Sequence, residues 1–370
     1  MGKRDRSWVE IDLGAIVHNF HQIQRHVGSH TTVMTVVKAD AYGHGAVPVA
    51  KALEAAGAGF FGMATADEAL ELRDAGVPGM ILVLGCTAPR QAAELIAAEV
   101  TPSIHSVEHA EAFSAAAGDS NLAVHMKVDS GMCRMGVRHD EVAELCERVK
   151  SLGNLRCEGI FSHFANAGRD EQFSATQMEA FRDAVRVAES ILGPFKWQHT
   201  CASAATILYH DKPLNMVRPG IVLYGAVEAV SAERRPAIKQ AMSVKARLAL
   251  VKRLEPGEKI GYGSTYEVKQ RQYVGVVPIG YGDGYRRGLS NNADVIIRGK
   301  RRPVLGRVSM DVTVVAIGPE ADCAIGDEVV LMGHQGDERI TVQELSQRAE
   351  TIPEEFFSCI GKRLPRVYQE

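Results

Sequence analysis

Lys38 closes the apolar run Val36-Val37-Lys38 and opens the Gly-containing stretch Ala39-Asp40-Ala41-Tyr42-Gly43-His44-Gly45. An ammonium at the end of a buried strand is partly desolvated and gives up its proton more readily than a surface lysine. That setting suits a lysine that holds an aldehyde cofactor such as pyridoxal phosphate as a Schiff base. An isolated strand-end lysine more often snorkels to water, so the reading depends on its company. Further along come Lys127 with Asp129 and Arg134, then His163, then His199 with Ser203, then Arg218, each after an apolar run. Ser203 starts a short helical stretch, and Gly220 and Ile221 follow Arg218. A hydroxyl, helix-start amides and a close-approaching glycine backbone form an anion cradle. Taken singly, an N-cap serine and a turn glycine account for the same residues at least as well. Tyr262 and Tyr281 are bracketed by glycines in Gly261-Tyr262-Gly263 and Gly280-Tyr281-Gly282. Most tyrosines at such hairpin tips are structural, but these glycines leave the phenols uncovered.

The elements that must position these groups change character along the chain. Over residues 30–225, short apolar runs alternate with helical stretches. The runs are 33–39, 60–65, 80–85, 101–106, 124–130, 159–164, 197–203 and 215–221. Helical spacing is clearest in Glu171–Leu192, where Phe173, Met178, Phe181, Val185, Val187 and Ile191 recur. Eight strands, each followed by a helix or turn, predict a closed (β/α)8 TIM barrel in the α/β class. In that fold the carboxyl ends of the strands form one mouth, where the ionisable groups converge. Residues 1–231 are therefore assigned to a barrel.

Residues 232–370 read as a mostly β C-terminal domain, with strand-like segments at 241–254, 273–278, 294–298, 304–317 and 328–332. A helix over 341–349 carries a capping-box pattern, Thr341 with Glu344. Residues 1–12 precede the barrel's first helix and are a candidate to pair with the β domain.

The 370 residues are 46% hydrophobic and carry a net charge of −3. This near-neutral balance gives no electrostatic reason to expect nucleic acid, and no apolar stretch is long enough to span a membrane. The start lacks an apolar signal core, which points to the cytoplasm. Seven scattered cysteines without ligand spacing predict free thiols and no metal site.

Seven ordered stretches closely resemble the alanine racemase family of fold type III pyridoxal-phosphate enzymes. They are Val37–Gly45, Lys127–Gly136, Ser162–Ala165, Arg218–Ile221, Gly261–Gly263, Gly280–Gly284 and Gly306–Asp311. The resemblance implies an L-alanine/D-alanine racemase that supplies D-alanine for peptidoglycan. It implies a two-base mechanism, with Lys38 on one face of the substrate and Tyr262 of a partner subunit on the other. Arg134 and the Met310 amide would hold the substrate carboxylate, Met310 also crossing from the partner, so the sites are shared in a homodimer. Arg218 would meet the pyridine nitrogen. Tyr42, Ser203, Gly220 and Ile221 would bind phosphate, and His199 would pack near the ring. His163 would lie between Arg218 and Tyr262. Lys127 would be carbamylated to brace Arg134, and Tyr281, Asp311 and Lys362 would line the entryway or the surroundings of the site.

Two bases on opposite faces remove and return a proton without either moving. A free phenol has a pKa of about 10, so a tyrosine base needs cationic neighbours, and His163 and Arg218 are the candidates. Many relatives carry tyrosine where Lys362 stands. Lys362 would either replace that tyrosine as a phosphate cation or turn to solvent and leave a roomier pocket. A roomier pocket would admit serine beside alanine, because an apolar site discriminates weakly against an added hydroxyl. The alternatives are thus a broader alanine/serine racemase and, less favoured, a fold type III amino-acid decarboxylase, whose acidic group at the pyridine nitrogen Arg218 does not match.

Overall fold

Each of the eight apolar runs overlaps a parallel strand in the computed structural model, which describes residues 6–209 and 214–370. The first strand is Thr32–Val33 continued by Thr35–Val36, and the second and third are Phe60–Met63 and Met80–Val83. The fourth is Val100–Thr101 continued by Ser103–Ile104, broken at Pro102, which has no N–H to give the ladder. Leu122–Asp129, Leu155–Phe161, Trp197–His199 and Met216–Val217 complete the set. Neighbours pair in parallel from the first strand to the seventh. The eighth returns to the first, with Met216 opposite Thr32. The Arg218 amide donates to the Cys201 carbonyl at 2.8 Å and joins the seventh to the eighth. The ring is therefore closed, as the count of eight predicts.

The surrounding helices start where the sequence supplies caps. Thr65 Oγ1 accepts from the Glu68 amide ahead of Ala66–Asp74, and Asp170 does the same for Phe173 ahead of Glu171–Leu192. The buried face of that long helix is Ser174, Gln177, Phe181, Ala184, Val185 and Ala188. Phe173 and Val187, expected on the stripe, are exposed, because Ser174, Gln177 and the alanines complete the inward face in their place.

Grouping by contacts gives a barrel unit, Ile16–Ala41 with Ala46–Ile238, and a β-rich unit. The β-rich unit takes the described residues through Ala15, Tyr42–Gly45 and Lys239–Glu370. The division falls between Ile238 and Lys239, not between 231 and 232, and it assigns Tyr42 to the β-rich unit. Within that unit Ser7–Asp12 pairs antiparallel with Met242–Arg247 and parallel with Arg366–Gln369. Residues 1–5 of the candidate pairing segment lie outside the described residues. Met242–Arg247 alternates buried and half-buried positions, the period-2 signature of a strand with one face inward. Leu250–Leu254, Gln272–Val277 and Thr313–Gly318 form a second, antiparallel sheet.

Two sequence expectations shift here. Segment 304–317 is strand only from Thr313, since Gly306 adopts φ +74° and turns the chain into a loop. The helix at Thr341 is Val342–Arg348, and Thr341 Oγ1 caps the Glu344 amide. The reciprocal half of the capping box is replaced, because the Glu344 carboxylate pairs with Arg301 and Arg348.

Candidate functional site

Lys38 leaves the first barrel strand into a turn of unusual hand. Ala39, Asp40, Ala41 and Tyr42 have φ between +52° and +54°, and Gly43 follows at +78°. Left-handed helical backbone costs an L-residue roughly 1–2 kcal/mol, so the four together store on the order of 4–8 kcal/mol. Local contacts hold the turn. The Ala39 amide donates to Glu68 Oε1 at 2.8 Å, and the Ala46 amide to Asp40 Oδ1 at 2.8 Å. The Ala41 amide donates to the Val37 carbonyl at 2.9 Å. Such stored strain is a mark of functional backbone.

Arg218 is buried behind the last strand. Its Nη1 lies 2.7 Å from His199 Nδ1, and its Nη2 reaches the carbonyls of Ser162 and Thr200 at 2.8 and 3.2 Å. The same Nη2 lies 3.3 Å from His163 Nδ1. Burial draws the guanidinium down to about 10, partly offset by Cys201, which leaves it charged at neutral pH. His199 stacks on Phe161 with centroids 4.8 Å apart. Burial first, then the Arg218 charge, hold both His163 and His199 well below the usual histidine range. His163 is therefore neutral. Of the two cations expected beside a tyrosine base, only Arg218 carries charge.

Lys127, Asp129, Arg134 and His163 line one shallow cleft. Lys127 is buried, with Nζ 4.4 Å above the Phe161 ring. Burial, then Arg218 and Arg134, push its ammonium well below the ordinary lysine range, with Asp129 opposing. Arg134 is exposed, and Asp129 presents it. Asp129 Oδ1 accepts from the amides of Gly131 and Cys133 at 2.9 and 3.0 Å, and Oδ2 from the Arg134 amide at 3.1 Å. Cys133 sits at φ +55° inside this loop.

The anion-cradle residues meet. Ser203 Oγ accepts from the Gly220 amide at 2.9 Å and the Val222 amide at 3.4 Å, and Ile221 opens a 3-10 turn, Ile221–Tyr224. Ser203 is not a helix cap, a position held by Ala202. Tyr42 is described within the β-rich unit, where burial and then Glu354 push its phenol above the usual tyrosine range.

That unit gathers the other predicted residues. The Gly282 amide donates to the Met310 carbonyl at 2.9 Å and the Tyr281 amide to the Ser309 carbonyl at 3.0 Å. Gly280 permits this approach, since a Cβ there would fall 2.5 Å from the Met310 oxygen. Arg363, next to exposed Lys362, donates to Asp311 Oδ1 at 2.7 Å. Tyr262 lies between Gly261 at φ +70° and Gly263 at φ +72°, both set against Arg307. Its side chain is 73% exposed and that of Met310 52%, an unusual share for large apolar groups. The sequence did not single out His125, whose buried ring touches His199, or Arg363. A histidine amid strand residues looks like core, and an arginine before Leu-Pro looks like surface.

All seven cysteines are free. Among the described residues no cluster of three or more His, Cys, Asp or Glu is placed to hold a metal ion. No described helix is long and apolar enough to cross a membrane.

A closed α/β barrel with cationic groups and the Ser203–Gly220 contact at one mouth, on a chain that also folds a β-rich unit, defines a two-part barrel enzyme. Residues 11–228 match the family model "Alanine racemase, N-terminal domain", and residues 241–368 match "Alanine racemase, C-terminal domain". An alanine racemase of Desulfovibrio desulfuricans is 41% identical, with 98% of each chain covered. That of Halothermothrix orenii is 38% identical over 98% of this chain and 97% of its own. The crystal structure of alanine racemase from D-cycloserine-producing Streptomyces lavendulae superposes with a TM-score of 0.91 at 34% identity, covering 99% of this chain and 97% of that one. The Bacillus anthracis enzyme, solved with bound L-Ala-P, gives 0.92 at 34% identity, covering 99% and 95%. The chain belongs to the alanine racemase family.

Proposed function

We propose that this protein interconverts L-alanine and D-alanine with pyridoxal phosphate, as a cytoplasmic homodimer with shared active sites, and supplies D-alanine for peptidoglycan. The observation that carries the reading is the gathering, at one barrel mouth, of residues suited to the two ends of that cofactor. Ser203 and Gly220 are in hydrogen-bond contact beside Ile221, a donor set suited to a phosphate. The buried cation Arg218 suits an acceptor ring nitrogen, and Lys38 supplies the amine. Residues Lys38, Tyr42, His163, His199, Ser203, Arg218, Gly220 and Ile221 would hold the cofactor. When bound, it would withdraw electrons from the substrate's α-carbon and so acidify the C–H bond there.

The chain's own residues then do the rest. Lys38 takes or returns the α-proton on one face, and Tyr262 of the partner subunit does so on the other. Arg134 and the partner subunit's Met310 amide hold the substrate carboxylate, which leaves the α-hydrogen directed at a base. Arg218 keeps its own proton because it remains a guanidinium at neutral pH, so the cofactor ring is a restrained electron sink and side reactions are limited. The depressed Lys127 amine supports carbamylation, since only a neutral amine attacks carbon dioxide. The product carries a negative charge that would brace Arg134. The large exposure of Tyr262 and Met310 supports their presentation to another subunit. Tyr281, Asp311 and Lys362 would border the entryway. Exposed Lys362, in place of the family's common tyrosine, favours a second reading in which serine is also racemised.

The test combines borohydride reduction of cofactor-loaded protein with peptide mapping and a coupled D-alanine assay. Label on Lys38 and D-alanine formed from L-alanine are expected. Label elsewhere, or no racemisation, defeats the proposal.

A further inference from the structure

His125 sits within the fifth strand with its side chain fully buried, outside every role assigned above. Its Nδ1 lies 3.0 Å from His199 Nε2, and His199 Nδ1 lies 2.7 Å from Arg218 Nη1. A guanidinium has donors and no acceptor, so His199 Nδ1 must be bare and its proton must sit on Nε2. That N–H faces His125 Nδ1, which must be bare in turn, leaving the His125 proton on Nε2. The hydrogen bonds therefore run one way, from Arg218 to His199 to His125. The tautomers follow from hydrogen-bond logic, with each ring able to accept at only one nitrogen when neutral.

Both rings are neutral by environment. Burial first and Arg218 second lower His125 to about 3 and hold His199 well below the ordinary range. The far end of the chain is costly. His125 Nε2 is buried and has no hydrogen-bond partner among the described residues. An aliphatic side chain would fill the same space without that cost, so what the imidazole supplies is the lone pair on Nδ1. The barrel also makes room for the ring. Opposite His125 stands Gly159, where a Cβ would fall 2.4 Å from the imidazole, and the register of the sixth strand shifts between Cys157 and Gly159.

We infer that His125 is a positioning residue for Arg218, acting through His199 by accepting that ring's Nε2–H and so holding the ring in line with the guanidinium. This rests on the proposed placement of Arg218 against the cofactor. Without an acceptor at His125, Arg218 still keeps His199 Nδ1 bare, and the His199 Nε2–H is left buried with nothing to receive it, so the ring gains by turning toward another acceptor. A turned ring carries Nδ1 away from Arg218 Nη1, and the guanidinium shifts from its place.

The test uses the cofactor-loaded protein labelled with [15N]histidine. Long-range proton–nitrogen spectra are expected to show His199 and His125 as Nε2–H tautomers. His125→Leu removes the acceptor, whereas His125→Asn keeps one near the Nδ1 position. The leucine variant is expected to move the His199 Nε2–H resonance away from its hydrogen-bonded position and to lower kcat about tenfold with KM little changed, the equivalent of one lost hydrogen bond. The asparagine variant should restore most of both. A wild-type His199 carrying its proton on Nδ1 overturns the inference. So does a leucine variant with the wild-type His199 Nε2–H resonance and kcat. Should His125→Leu fail to fold, the wild-type spectrum and His125→Asn decide the matter: an asparagine variant with an altered His199 tautomer overturns the inference. Failure of the underlying reading looks different. An Arg218→Lys variant whose bound-cofactor absorbance is unchanged would remove Arg218 from the cofactor while the tautomer spectrum stood.

Discussion

Replacing Asp129 by asparagine is expected to raise KM for alanine about tenfold and leave kcat nearly unchanged. The carboxylate accepts three backbone amides, from Gly131, Cys133 and Arg134, at 2.9–3.1 Å. Asparagine can keep Oδ1 on the first two, but its NH2 then faces the Arg134 amide, donor against donor. One hydrogen bond to a charged group is worth about 1.5–3 kcal/mol. The low end applies because Arg134 is exposed and water competes there. About 1.4 kcal/mol corresponds to tenfold, and the loss falls on the loop that carries the proposed carboxylate-binding guanidinium, not on the bases. Steady-state racemisation of L-alanine gives the split between KM and kcat, and urea unfolding gives the stability change. A KM at the wild-type value despite a measurable loss of stability would show that the clasp only maintains the fold, and the reasoning would be wrong.

Acid should weaken the barrel unit through its histidines. His125 and His199 bind fewer protons folded than unfolded, so their contribution is whole above the unfolded pKa of about 6.5. It is lost as pH falls toward the lowered folded values, about 3 for His125. The expected slope is up to about 1.4 kcal/mol per pH unit per histidine, and unfolding free energies that are flat between about pH 7 and 5 would contradict it. Arg218→Ala strands His199 Nδ1 and the carbonyls of Ser162 and Thr200 without donors, at about 1–3 kcal/mol each; a variant as stable as wild type in urea would refute that pairing. Inactive Lys38→Ala and Tyr262→Phe proteins, mixed and allowed to exchange subunits, should regain part of the activity, whereas persistent inactivity after demonstrated exchange speaks against shared sites. Lys362→Tyr should lower the serine-to-alanine rate ratio, and an unchanged ratio removes Lys362 from substrate choice.

Much of the architecture was legible because it is written in periodicity. Eight apolar runs each gave a strand, and the ionisable residues at their ends share a mouth because parallel strands all point one way. What stayed hidden depends on geometry that no local pattern encodes. In Ala39-Asp40-Ala41-Tyr42 only Asp40 tolerates left-handed backbone at all, so the end of the strand and a Gly-containing stretch were legible after Lys38 but the hand of the turn was not. The loop at Gly306–Asp311 looked like strand because Val304, Leu305 and Val308 are apolar, whereas its course is set by a close approach to Gly280. His163 was read as a cation because sequence gives residue type and not burial. His125 was invisible for the same reason, since its part depends on a ring two strands away.

The turn after Lys38 carries one more implication. Four side-chain-bearing residues held against their natural hand will not keep that shape in a nascent or unfolded chain, where each relaxes to ordinary conformations. The direction of the Lys38 amine is thus a property of the finished barrel, lent to it by Glu68 and Asp40. Under the proposed function, vitamin capture must come after folding: an immature polypeptide offers one more lysine among many, and a completed one offers an addressed receptor.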